Sequence, residues 1–67
     1  MIDGKKIRLL REQQGWGVTE FANKVGVSQT LVSLIEIGAR NPSVPIFALI
    51  ANQLGTTMDD LMKKEVS

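Results

Sequence analysis

Apolar residues recur three and four positions apart along the chain, and this spacing divides it into five short helical segments. Asp3 can cap a first helix running to about Gln14, with Ile7, Leu10 and Gln14 on one face and Gly15 just past its end. Val18, Phe21, Ala22 and Val25 fall at i, i+3, i+4 and i+7, which predicts a second helix over 18–25. Gly17 is a tolerable cap for it, and Glu20 lies in the first turn, where the helix dipole favours a carboxylate. A third helix runs from about Gln29 to Ile37 behind Ser28, and Gly38 and Pro42 close that stretch. A fourth starts near Val44 behind Ser43 and accepts Pro45 in its first turn, where no intrahelical N–H bond is lost. It turns Phe47, Ile50, Ala51 and Leu54 inward and ends at Gly55. A short fifth helix follows Thr57, because Thr57-Met58-Asp59-Asp60 is close to a capping box with aspartate at the third helical position. No segment alternates apolar and polar residues as an exposed strand would. There is no repeat, linker or low-complexity tract, so residues 1–67 read as one all-α domain of five short helices.

The second and third helices carry most of the information. Ala22 stands where two helices must cross closely, since a larger side chain would push them apart. Four residues on, Gly26 occupies a three- to four-residue turn in which positive φ costs glycine nothing. Phe21, Val25, Val27, Val32 and Ile35 supply the faces to be buried. This is the helix-turn-helix pattern, although on these residues alone any two packed helices joined at a glycine would read the same way.

Composition narrows the chemistry. A chain of 67 residues is near the lower limit at which one apolar core holds a fold without staples, and 43% hydrophobic content is enough for such a core. There is no cysteine and no histidine, which removes disulfides, thiolate metal sites and the usual general base near neutral pH. Without tyrosine as well, acid–base work would fall to carboxylates or lysines, and Asp59-Asp60 is a helix start rather than a pair facing across a cleft. No glycine-rich loop has the spacing of a phosphate cradle. The chain is therefore read as a non-enzyme that needs no cofactor, metal or small-molecule ligand. "MIDGKKIRLL" lacks the apolar stretch of a signal peptide, and the longest apolar run, "IFALIA" at 46–51, cannot span a bilayer. A cytoplasmic protein with no membrane partner is the expectation. The net charge of +1 leaves the partner open.

Beyond these residues, the chain resembles the phage repressor/Cro-type (XRE) helix-turn-helix family over nearly its whole length. The elements that match are "GKKIRLLRE", "EFANKVGVSQTLVSLIE", "GARNPS" and "IANQLGTTMDDLM", in the family's order and spacing. The resemblance implies that the third helix lies in the major groove, with Gln29, Thr30, Ser33 and Leu34 meeting base edges. Glutamine can pair with adenine N6 and N7, whereas leucine can only lie against a thymine methyl. It further implies phosphate contacts at the first amides of the second helix, Val18 and Thr19, at the capped start of the third, Ser28, and in the following loop, Arg40 and Asn41. Arg11 and Glu36 match a recurring pair of the family, an ion pair tying the first helix to the third.

The departures from the family pattern matter as much. Glutamine is frequent where this chain has Val18, arginine or glutamine at Leu34, a polar or basic residue at Ile37, and lysine at Ala39. Four positions expected to face nucleic acid are thus apolar. Glu20, Lys24, Glu36 and Arg40 cancel between Gly17 and Pro42, and the basic excess lies at Lys5, Lys6, Arg8 and Arg11 in the first helix. Two functions follow. One is a sequence-specific regulator of double-stranded DNA, a homodimer on an inverted repeat, because so small a module with few cations needs a second copy to reach useful specificity. Ile46, Leu49, Met58 and Met62 are its candidate dimer contacts. The other is a protein-binding module on the same fold, an antirepressor or scaffold, docking through an apolar face of Val18, Leu34 and Ile37.

Overall fold

The computed structural model describes residues 1–63; positions 64–67 of the expected domain lie outside the described residues. Four α-helices follow one another: α1 (Gly4–Gln13), α2 (Val18–Val25), α3 (Gln29–Glu36) and α4 (Val44–Gln53). The fifth segment is not an α-helix, and among the described residues the all-α architecture therefore has four α-helices rather than five helices, completed by one 3-10 turn, Asp59–Leu61. The cap predicted there does form, with the Asp60 amide donating to Thr57 Oγ1 at 3.2 Å. What stops the helix is tertiary. Leu61 is fully buried, and Met62 turns extended to pair antiparallel with Ile2. The Asp3 amide donates to the Leu61 carbonyl and the Lys63 amide to the Met1 carbonyl, both at 2.7 Å. This backbone pairing of the two ends has no periodicity to announce it, since a single bridge is too short to alternate.

Local chemistry accounts for the other boundaries. Asp3 caps α1 by accepting from the Lys6 amide, and Ser28 caps α3 by accepting from the Leu31 amide at 3.1 Å. Pro45 sits in the first turn of α4, where its missing N–H costs nothing. Gly26 ends α2 in the left-handed region, at φ 86°, and there the amides of Gly26 and Val27 both reach the Ala22 carbonyl.

Ile7, Phe21, Val32, Ile35, Ile50 and Leu61 are the largest fully buried side chains, so every element contributes to one core. On α1 the buried residues include Ile7 and, four positions on, Arg11, while Gln14 is exposed. The expectation that Gln14 shares the face of Ile7 and Leu10 is thus corrected. Gln14 is the C-cap residue, and the place on the buried face belongs to a cation that has found an internal partner.

Gly4 has a role its sequence context does not reveal. It is buried, and a Cβ there would collide with the backbone carbonyls of Ile35 and Glu36. The first turn of α1 is therefore seated directly on the last turn of α3. That seat helps fix the direction in which α3 projects.

Candidate nucleic-acid interface

The site is built by α2, the turn at Gly26 and α3. Phe21, Ala22 and Val25 on α2 and Val32 and Ile35 on α3 are buried against the core, and these faces determine which residues are left outside. At the start of α3 those are Gln29 and Thr30, both exposed. One turn on, Ser33 and Leu34 are half-buried. Ser28, Arg40 and Asn41 are exposed on either side of the helix. The expected reading residues thus run along α3 from its first residue to its sixth, with Ser28 just before the helix and Arg40 and Asn41 in the loop after it.

At the start of α2, Val18 is half-buried and packs against the core, whereas Thr19 is exposed. The first amides of α2 lie before the first intrahelical bond, in which the Phe21 amide donates to the Gly17 carbonyl. The Thr19 side chain does something its assignment as a backbone contact did not foresee: its hydroxyl donates to Gln29 Oε1 at 2.8 Å, linking α2 to the first residue of α3. The ten-residue separation and the turn between them leave no sequence periodicity that would point to this pair.

Behind this surface lies the Arg11–Glu36 pair. Arg11 Nε donates to Glu36 Oε2 at 2.7 Å and Nη2 to Oε1 at 3.1 Å, while Nη1 donates to the Trp16 carbonyl at 2.8 Å. Both residues are buried. The hydrogen bond with Glu36 holds the guanidinium pKa above its ordinary value, against the opposing effect of burial. This pairing also changes the charge presented outside. With Glu36 neutralised internally, the remaining charges of the segment from Gly17 to Pro42 are Lys24 and Arg40 against Glu20, a small positive balance instead of zero. Lys24 lies over the Trp16 ring, 4.8 Å from its centroid, and Trp16 stacks on Phe21. On α1, Arg8 is 3.6 Å from Glu12.

The apolar positions separate. Val18 covers core, Leu34 is half-buried, and Ile37 is 73% exposed. Ile37 lines a groove with Leu9 and Lys5 of α1 and with Asn41, between α1 and the end of α3. The candidate dimer residues separate too. Ile46 and Met62 pack against the core, whereas Leu49 and Met58 are 43% and 40% exposed. Among the described residues no group of three acidic, histidine or cysteine side chains could hold a metal ion, and no helix is long and apolar enough to cross a membrane.

A four-helix domain whose second and third helices meet across a left-handed glycine, with a capped polar helix start outward, is a helix-turn-helix domain. A helix-turn-helix family model matches residues 7–61. The chain belongs to this family, the XRE-type helix-turn-helix proteins. It is 36% identical over 62 residues to the putative HTH-type transcriptional regulatory protein PTO0557 of Picrophilus torridus, covering 92% of this chain but only 19% of that protein. It is 34% identical over 64 residues to the uncharacterized HTH-type transcriptional regulator YazB of Bacillus subtilis, covering 96% of this chain and 93% of that one. Among solved structures, the master regulator for biofilm formation SinR in complex with DNA superposes with a TM-score of 0.80 at 29% identity, over 87% of this chain and 94% of the other.

Proposed function

We propose that this chain is a sequence-specific double-stranded DNA-binding transcriptional regulator that reads the major groove with α3. The observation that carries the reading is the exposed start of α3. There Gln29 and Thr30 stand outside the core behind the Ser28 cap, held by a buried α2–α3 interface. Gln29, Thr30, Ser33 and Leu34 take the base edges. The amides of Val18 and Thr19, the capped start at Ser28, and Arg40 and Asn41 take phosphates. The name and complex of the SinR structure, and the regulator names of the relatives, support the same function.

The chain acts as a cytoplasmic homodimer on an inverted repeat, with the two reading helices about 34 Å apart in successive major grooves. Leu49 and Met58 are the exposed apolar residues offered to the second copy. Binding without a second copy would leave too few contacts for useful specificity.

The test is selection from random duplex DNA at low salt, followed by a salt titration of the enriched sequence. An enriched inverted repeat with half-sites one helical turn apart supports the reading. No enrichment, with no retention even at low salt, overturns it. In that event the function passes to a protein partner, and the surface to mutate is Leu34 and Ile37, since Val18 packs against the core.

A further inference from the structure

We propose that the groove between α1 and the end of α3 is a docking site for an acidic amphipathic peptide segment of a partner protein; this goes beyond the assignment of α3 as the reading helix and does not depend on it. Among the described residues six large apolar side chains are exposed, and three of them, Met1, Leu9 and Ile37, line this one groove. Such a gathering marks a surface to be covered, whereas single exposed aliphatic residues need no explanation. The groove is also preformed. Its lining includes Gly4 together with Ile35 and Glu36, the residues whose carbonyls a Cβ at Gly4 would strike, so α1 and α3 meet there with no side chain between them. The two walls are fixed against each other, and a partner has little to order on docking.

Charge identifies the occupant. Lys5 and Lys63 line the groove, are exposed, and have no ion pair among the described residues. Arg8 and Glu12, also in the lining, offset each other at 3.6 Å. The remaining carboxylate, Glu36, is buried and engaged by Arg11. The rim is therefore positive around an aliphatic floor. A duplex answers the lysines with phosphates but leaves Leu9 and Ile37 facing charged oxygens, where apolar surface gains nothing by being covered. A second copy docked across a two-fold axis brings the same positive rim against itself. A peptide with large apolar side chains flanked by aspartate or glutamate meets both features at once, its apolar residues on Leu9 and Ile37 and its carboxylates on Lys5 and Lys63. Ile37 follows the last residue of α3, so the site lies about 12 Å along that helix from Gln29 at its start.

The experiment selects from a random phage-displayed peptide library with the full chain as bait, and carries the most enriched sequence forward as a labelled synthetic peptide. Enriched sequences should combine large apolar residues with aspartate or glutamate. Leu9→Gln and Ile37→Gln should each weaken the peptide about tenfold, the worth of one apolar side chain left uncovered. Lys5→Glu should weaken it by about threefold to tenfold at low salt and by less at high salt. All three side chains are exposed, so the thermal midpoints should stay at the parent's. In the parent chain the peptide should shift the ¹⁵N–¹H signals of Leu9 and Ile37, a readout that requires no variant to fold. No enrichment, enriched peptides without carboxylates, or binding indifferent to Leu9→Gln and Ile37→Gln overturns the proposal. An equal loss in Leu34→Gln, with shifts spreading to Gln29 and Thr30, places the peptide on the outer face of α3 and overturns the groove. If Ile37→Gln dissociates a self-associated chain in sedimentation velocity, the groove belongs to a second copy. If Lys5→Glu lowers the salt slope of duplex binding and no peptide is enriched, it belongs to the DNA backbone. Either result overturns the proposal. Duplex selection is a separate assay, so a chain that enriches no duplex yet binds the peptide at Leu9 and Ile37 loses the reading assignment and keeps this site.

Discussion

Arg11 and Glu36 form a two-point ion pair inside the domain, joining α1 to the last residue of α3 twenty-five positions away. The guanidinium spends its remaining reach on the Trp16 carbonyl, so one side chain ties together α1, the loop after it and α3. Such a pair is worth little against well-packed apolar residues, but losing one partner strands a buried charge. Glu36→Ala should cost about 3–5 kcal/mol, a large fraction of the stability of so small a domain. Urea denaturation measures it, and a loss below about 1 kcal/mol would mean the pair is no better than a surface one. Arg11→Met combined with Glu36→Leu should recover part of the loss, but not the bond to the Trp16 carbonyl.

The same pair makes a prediction about pH. The folded pKa of Arg11 is raised above its ordinary value, chiefly by the hydrogen bond to Glu36. A raised pKa on a cation contributes stability that is fully present below the unfolded value and is lost only as pH rises through the folded one. That window lies above the ordinary guanidinium pKa, far into the alkaline range. The stability gap between parent and Glu36→Ala should therefore not shrink through deprotonation of Arg11 between about pH 7 and about pH 10. Arg11 losing its charge within that range would close the gap and contradict the assignment.

Gly4→Ala sets helix propensity against packing. Alanine is the better helix former by about 1 kcal/mol, yet its methyl would meet the Ile35 and Glu36 carbonyls, which are backbone and cannot swing aside. Packing should win, with a net loss of about 1–3 kcal/mol. A melting temperature equal to or above the parent's would show that α1 can lift off α3 freely.

At Gly26 the cost is purely conformational. Its φ is +86° and a Cβ there would have nothing within 4 Å. Gly26→Ala should lose about 1–2 kcal/mol, and Gly26→Asn less, because asparagine tolerates the left-handed region better. The order of the two melting temperatures is the check.

Gln29→Ala should weaken binding to the preferred duplex by about 1–3 kcal/mol while leaving non-specific binding nearly unchanged. Equal affinity of mutant and parent for that duplex would remove Gln29 from readout. With about two phosphates neutralised per subunit of a dimer, log K should fall against log salt with a slope of roughly −4. A much steeper slope would mean that the lysines of α1 also meet the backbone.

If the chain dimerises through this face as proposed, Leu49→Glu should abolish association without unfolding the monomer, since Leu49 is open to solvent. Ile46→Glu should destabilise the monomer as well, because Ile46 is packed on the core. Sedimentation velocity separates the two outcomes, and an unchanged association state in Leu49→Glu would move the interface elsewhere.

Four helices and the turn between α2 and α3 were legible in the sequence because they depend on neighbours in the chain. Apolar spacing sets the buried faces, Asp3 and Ser28 cap their own helices, and Gly26 adopts the left-handed conformation that ends α2. That Gln29 and Thr30 stand outside the core followed from the same periodicity, by naming what the core does not take. Everything misjudged or missed depends on residues far apart in sequence. The segment after Thr57 has a helical cap and still stops after one 3-10 turn, because Met62 pairs with Ile2. Gly4 looks like a weak helix residue until the α3 carbonyls come down on it. Thr19 looks like a solvated hydroxyl until the turn swings Gln29 beside it. The apolar positions Val18 and Ile37, alike by type, are divided into core and surface only by packing. Periodicity reports the direction of a side chain relative to its own helix, whereas its partner is decided by how the helices dock.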